Sequence, residues 1–171
     1  MERHSVEAIV RALNGAGVRY LIADGLAVVA HGHLRFTADV DLILDLETGN
    51  VSRAITALQA LGYRPRAPVP FEDLAKGGLR AEWARDRNMT VFSVYSPAHP
   101  ATDVDIFVEA PVDFEAAYRA AARMDVSPGA VATFLGRDDL IRLKQQAGRP
   151  QDILDVDALE KLRKGGSDAA E

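Results

Sequence analysis

Hydrophobic positions along this chain follow two rhythms. Val6, Ile9, Val10 and Leu13 recur at helical spacing and form one apolar stripe. Asn14-Gly15-Ala16-Gly17 closes that helix, because glycine tolerates the left-handed turn at a helix end. Val18 to Ala23 predicts a short buried strand, and Gly25 to His31 a short helix that starts beside the glycine. Val40 to Leu44 predicts a second apolar strand. Asn50 is expected to cap a helix from Val51 to Leu61, which Gly62 ends. Pro65, Pro68 and Pro70 predict an irregular connection, followed by a helix or two within Phe71 to Arg87, around Leu74, Leu79 and Trp83. Alternation returns at Thr90 to Tyr95 and Val104 to Val108, and the turn-rich Ser96-Pro97-Ala98-His99-Pro100 between them predicts antiparallel neighbours. Phe114 to Arg123 reads as helix, Val131 to Leu135 as strand and Asp138 to Gln146 as helix. Pro150 suits the first position of a last helix to about Arg163. The expected fold class is α/β (α+β), a mixed β-sheet flanked by helices. Residues 1–164 are expected to form one domain, and 165–171 a disordered tail.

Composition narrows the setting. With 171 residues, 48% hydrophobic and 26% charged, the chain can bury a core of ordinary size and is not of the disordered class. No stretch approaches the roughly 20 apolar residues of a membrane span, so no membrane partner is expected. Met1-Glu2-Arg3-His4 leads into a helical pattern rather than the apolar run of a signal peptide. Cysteine is absent, which excludes disulfides and thiolate metal sites and makes a reducing cytoplasm the expected location. A net charge of −5 disfavours general coating of nucleic acid but leaves room for a local basic groove.

Candidate chemistry lies in the carboxylates. Asp39-Val40-Asp41 opens the second strand, and strand alternation projects both aspartates from one face while Val40 and Leu42 enter the core. Asp103-Val104-Asp105 repeats that phase on a later strand. If the two strands are neighbours, three or four carboxylates converge, and each raises the others' pKa. A divalent cation resolves the conflict, and oxygen-only ligands favour Mg²⁺ or Mn²⁺. The spacing alone is common, since Asp155-x-Asp157 is a third example among 16 aspartates. Gly25 adds a second feature, because there a strand turns into a helix whose first N–H groups can face phosphate. Strand, glycine turn, short helix and Asp-x-Asp strand together suit phosphoryl or nucleotidyl transfer.

The run Tyr20-Leu21-Ile22-Ala23-Asp24-Gly25-Leu26-Ala27-Val28-Val29-Ala30-His31-Gly32, followed by Arg35-x-Thr37-x-Asp39-Val40-Asp41-Leu42, resembles the signature of DNA polymerase beta-like nucleotidyltransferases. More narrowly it is similar to the small bacterial AbiEii-type toxins and related stand-alone enzymes. The C-terminal Asp138-Asp139-Leu140-Ile141-x-Leu143-Lys144 and Gly148-Arg149-Pro150-Gln151-Asp152-Ile153-Leu154-Asp155-Val156 fit the same pattern. The resemblance implies transfer of an NMP from an NTP to an acceptor hydroxyl on tRNA, a protein or a small molecule, and a toxin paired with an antitoxin. Asp39, Asp41 and Asp105 would be the catalytic, metal-holding residues. Gly25 would cradle phosphates, Lys144 would contact phosphate, and one of Asp152 and Asp155, with Asp152 the first choice, would face the site.

One position departs from that pattern, because Asp24 stands where the family has the first glycine of a pair. Its carboxylate either weakens nucleotide binding, points away or joins the metal shell. Arg35 and Thr37 either touch phosphate or anchor their loop. A weakened or inactive protein acting as a binding module is therefore the alternative reading. His31-Gly32-His33 reads as a turn rather than a metal site, and Trp83 as core. No nucleophile–histidine–carboxylate set is legible.

Overall fold

The structure, a computed structural model, describes residues 2–167. Helix α1 spans Arg3–Gly15, strand β1 Tyr20–Ala23, helix α2 Asp24–Ala30 and strand β2 Asp39–Leu44. Helix α3 follows at Thr48–Ala60, then the short strand β3 at Arg64–Pro65, a 3₁₀ turn at Phe71–Ala75 and helix α4 at Gly77–Arg87. Strands β4 (Val91–Tyr95) and β5 (Asp103–Phe107) precede helix α5 (Phe114–Arg119). The chain ends with β6 (Ala122–Ser127), β7 (Ala130–Phe134), α6 (Arg137–Ala147) and α7 (Pro150–Ser167). The fold class is the expected one: a mixed sheet with helices around it.

All seven strands join one sheet in the order β3-β4-β5-β2-β1-β7-β6. Strands β2 and β5 run parallel, as do β1 and β7, and the other pairs are antiparallel. The expected β4–β5 hairpin is present, with Phe92 opposite Ile106. One face of these central strands is sealed. Val40, Leu42, Val94, Val104 and Ile106 are fully buried there, each contributing about 1.5–3 kcal/mol of hydrophobic stabilisation. Phe92, on the same face, stacks on Phe71 at 5.8 Å and on Trp83 at 5.5 Å, so the tryptophan is core as expected. The opposite face of β4 and β5 is only half covered, which leaves Val91, Ser93, Tyr95, Asp103, Asp105 and Phe107 accessible.

Four local expectations need correction. Asn50 is not a cap: Glu47 caps α3, its carboxylate accepting from the Gly49 and Asn50 N–H groups at 2.8 Å each. The buried Asn50 amide instead ties Arg19 to Asp45, accepting from Arg19 N and donating to both carbonyls. The helix expected through Arg123 stops at Arg119, and Ala122–Ser127 becomes an edge strand on β7. Local propensity favoured helix through three consecutive alanines, whereas pairing with β7 satisfies this backbone in extended form. Strand β3 was hidden for a related reason, since Pro65 is tolerated at a sheet edge. Helix α7 runs past the expected end near Arg163, and 168–171 of the expected tail lie outside the described residues. No helix among the described residues is long and apolar enough to cross a membrane.

Candidate active site: two carboxylate clusters on one cleft

Parallel pairing of β2 with β5 sets Asp39 opposite Asp103 and Asp41 opposite Asp105. Ala23, the last residue of β1, lies opposite Asp41 on the other side, so Asp24 enters the site one residue beyond the strand end. Asp24 has φ +45°, a left-handed conformation that few non-glycine residues adopt. Two clusters meet here.

The first is a closed cage around Lys144, which is 2% exposed on the inner face of α6. Its ammonium donates to Asp24 Oδ1 at 2.5 Å and to Asp152 Oδ1 at 3.0 Å, and lies 2.8 Å from Asp155 Oδ2. Gly148 ends α6 with φ +63°, and this turn delivers Arg149 to the same carboxylates. Arg149 donates to Asp152 Oδ2 and Asp24 Oδ2, each at 2.7 Å, and Arg35 donates to Asp155 Oδ2 at 2.5 Å. Three cations thus face three carboxylates. Burial would raise the pKa of Asp152, but Arg149 and Lys144 outweigh it and hold the value at about 2. Burial likewise opposes ionisation of Asp24, and hydrogen bonds from Lys144 and Arg149 bring its pKa below the ordinary value. Desolvation pulls the Lys144 pKa down, yet bonds to Asp155 and Asp24 raise it overall.

Oxygens of Asp24, Asp152 and Asp155 lie within 4.8 Å of one another, close enough to hold a metal ion, and among the described residues no other three acids do so. The Lys144 ammonium already stands within 3.0 Å of all three, however, and the group is charge-balanced.

The second cluster is the strand row Asp39, Asp41 and Asp105. Among the described residues no ion pair or side-chain hydrogen bond reaches the carboxylate of Asp39 or Asp41. Ser93, opposite Asp105 on β4, donates to Asp105 Oδ1 at 2.5 Å, and Asp103 is neutralised by Arg66. Burial and then the charges of Asp24, Asp105 and Asp39 push Asp41 up to about 7. Asp39 is raised by burial, then by Asp105 and Asp103. Unlike the cage, the row carries uncompensated negative charge on oxygen donors, the donor type a hard divalent cation prefers, but its oxygens are less tightly gathered than those of the cage.

Both clusters open on a cleft with two compartments. A polar one of about 320 Å³ is lined by Asp24, Gly25, Arg35, Thr37, Asp39, Asp41, Asp105 and Asp152, so it gathers every expected site residue except Lys144. The other, of about 510 Å³, shares Asp24, Asp41, Asp105 and Arg149 and adds Lys144. Gly25 is buried beneath the Arg35–Thr37 segment: a side chain there would meet Thr37 Oγ1 at 2.5 Å and Arg35 Nη2 at 3.0 Å. Arg35 and Thr37 therefore anchor the loop, one through Asp155 and the other through the Asp39 carbonyl at 3.4 Å. His31 binds the Leu135 carbonyl at 2.8 Å, as a turn residue does.

Sequence reasoning left three members without a role. Arg149 had a signal, since it follows the glycine between two helices. Asp155 was ranked behind Asp152, but both face Lys144, because residues three apart share a helix face. Ser93 carried no signal until its strand partner was known. Compared with known proteins, the chain matches no family model and no curated sequence.

Proposed function

We propose that this protein is a metal-dependent nucleotidyltransferase that moves an NMP from an NTP to an acceptor hydroxyl and releases pyrophosphate. The observation that carries the reading is the in-register row of Asp39, Asp41 and Asp105, uncompensated and next to two cleft-lining cations. Asp39, Asp41 and Asp105 would hold Mg²⁺ or Mn²⁺. A divalent ion there supplies charge neutralisation at the transferring phosphorus and its leaving group. Arg149, 62% exposed, offers an accessible charge to phosphate oxygens, while the Lys144 ammonium holds the three carboxylates of the cage. Ser93 orients Asp105 by holding one oxygen, which leaves the other free. The acceptor, whether tRNA, a protein hydroxyl or a small molecule, a cytoplasmic location and an antitoxin partner belong to the same reading and rest on the sequence resemblance.

One observation favours a second reading, a nucleotide-poor binding module. Asp24 already engages Lys144 and Arg149, the cations a triphosphate would seek. A titration with Mg²⁺ and each NTP separates the two. Wild type is expected to bind only with metal, and Asp39→Ala/Asp41→Ala is expected to lose that binding while keeping its circular dichroism spectrum and a cooperative melting transition. Undiminished metal-dependent binding in the double variant would falsify the assignment of the row.

A further inference from the structure

The larger compartment has an asymmetry that the carboxylates do not explain. At one end stand Asp24, Asp41, Asp105, Lys144 and Arg149. Its other end is mostly apolar, built from Val91 and Phe107 on the sheet and Pro111, Leu143 and Ala147 around them, with Thr90 and Gln146 as its polar members. Strand register produces this arrangement. Residues two apart on one strand share a face, so Phe107 follows Asp105 and Val91 precedes Ser93 on the same accessible surface. Phe107 and Val91 are themselves directly opposite each other, which makes a flat apolar floor one step beyond the carboxylate row. Among the described residues no helix seals this floor, for both residues remain only partly buried. Leu143 projects from α6 one residue before the caged lysine and forms part of the wall.

We infer that this apolar end is the subsite for the base of the nucleotide, with Phe107 as its principal contact. The inference rests on the nucleotidyltransferase reading and adds where the nucleoside lies. A nucleoside triphosphate is itself bipolar, with a flat base at one end and charged phosphates at the other. The compartment matches that polarity, and its volume of about 510 Å³ falls within the range of small-molecule sites. The polar compartment matches a base less well: the exposed Phe36 lines it, but Arg35, Asp39, Gln151 and Asp152 surround that ring with charged and amide groups.

The test compares NTPs with inorganic tripolyphosphate, which has the charge without the base, in Mg²⁺ titrations by calorimetry. Phe107→Ala is paired with Leu143→Gln, which keeps side-chain size but adds polarity at a half-buried helix position, and melting curves establish that each variant is folded. Both variants are expected to weaken NTP binding about tenfold, the scale of one lost base–side-chain stack, while tripolyphosphate binding stays within twofold of wild type. Unchanged NTP affinity in both folded variants overturns the subsite, as does an equal loss for NTP and tripolyphosphate. Wild-type binding of tripolyphosphate with no gain from a base also overturns it, yet leaves the metal and phosphate reading standing. If wild type binds neither ligand, that reading falls together with the subsite.

Discussion

The caged aspartates and the strand row contain the same functional group, lie in the same cleft and have opposite electrostatics. Asp152 is held at about 2 by two cations, whereas Asp41, sharing its cleft, is pushed up to about 7. Helix α6 and the turn at Gly148 bring Lys144 and Arg149 to the first group, while the second group sits on two paired strands that set acid opposite acid. Proximity of carboxylates therefore says little about metal binding by itself. What matters is whether the chain has already supplied the cation. The tightest trio is the one already satisfied, and the looser row is the one left wanting a charge.

The comparison breaks most easily at Lys144. Lys144→Met removes the central cation and leaves Asp152 and Asp155 buried beside it. Loss of one partner from a buried charge cluster costs about 3–5 kcal/mol, to be read by urea unfolding at neutral pH. A loss under about 1 kcal/mol would mean the cage is an incidental cluster rather than a structural one.

The two groups also predict opposite pH dependence. Asp152 has a depressed native pKa, so its stabilisation is present above its unfolded value of 3.8 and is lost as pH falls towards about 2. Asp41 has a raised native pKa. Between 3.8 and about 7 the native state holds a proton that the unfolded chain has released, so stability declines as pH rises through that window. Asp41→Asn should abolish that decline and stabilise the metal-free protein at pH 8 by roughly 2 kcal/mol, allowing for partial solvent screening. Excess Mg²⁺ should stabilise wild type and not the variant. Parallel unfolding curves for the two proteins from pH 4.5 to pH 8 would show that Asp41 is not under strain.

The smallest expected effect concerns Asp24, which belongs to both groups. Its carboxylate is shared between Lys144 and Arg149, and it is also the foremost charge acting on Asp41. Asp24→Gly suits the φ of +45° and removes an anion from the path of phosphate, so NTP affinity should tighten about tenfold, the equivalent of 1.4 kcal/mol. The gain should shrink as salt rises. Loss of metal or NTP binding in this variant would instead make Asp24 a ligand, and no change would make it a purely structural partner of Lys144.

The sequence by itself determined the periodic elements and the phase of the acids. Val40 and Leu42 must enter a core, so Asp39 and Asp41 must share the other face, and Asp103 and Asp105 follow the same rule. Such local arithmetic needs no knowledge of neighbours. Tertiary structure decided the rest, because charge compensation and edge pairing are non-local. Asp24 and Lys144 are 120 residues apart in sequence, and so are Arg35 and Asp155. Nothing in the local pattern of Asp152 and Asp155 distinguishes them from an exposed helix start until α6 packs against α7. Ala122–Ser127 took its extended form from β7, and Asn50 its place from Arg19 and Asp45, against the local preference in each case. The sequence could say which carboxylates point together; only the packed chain could say which of them had been given a counterion.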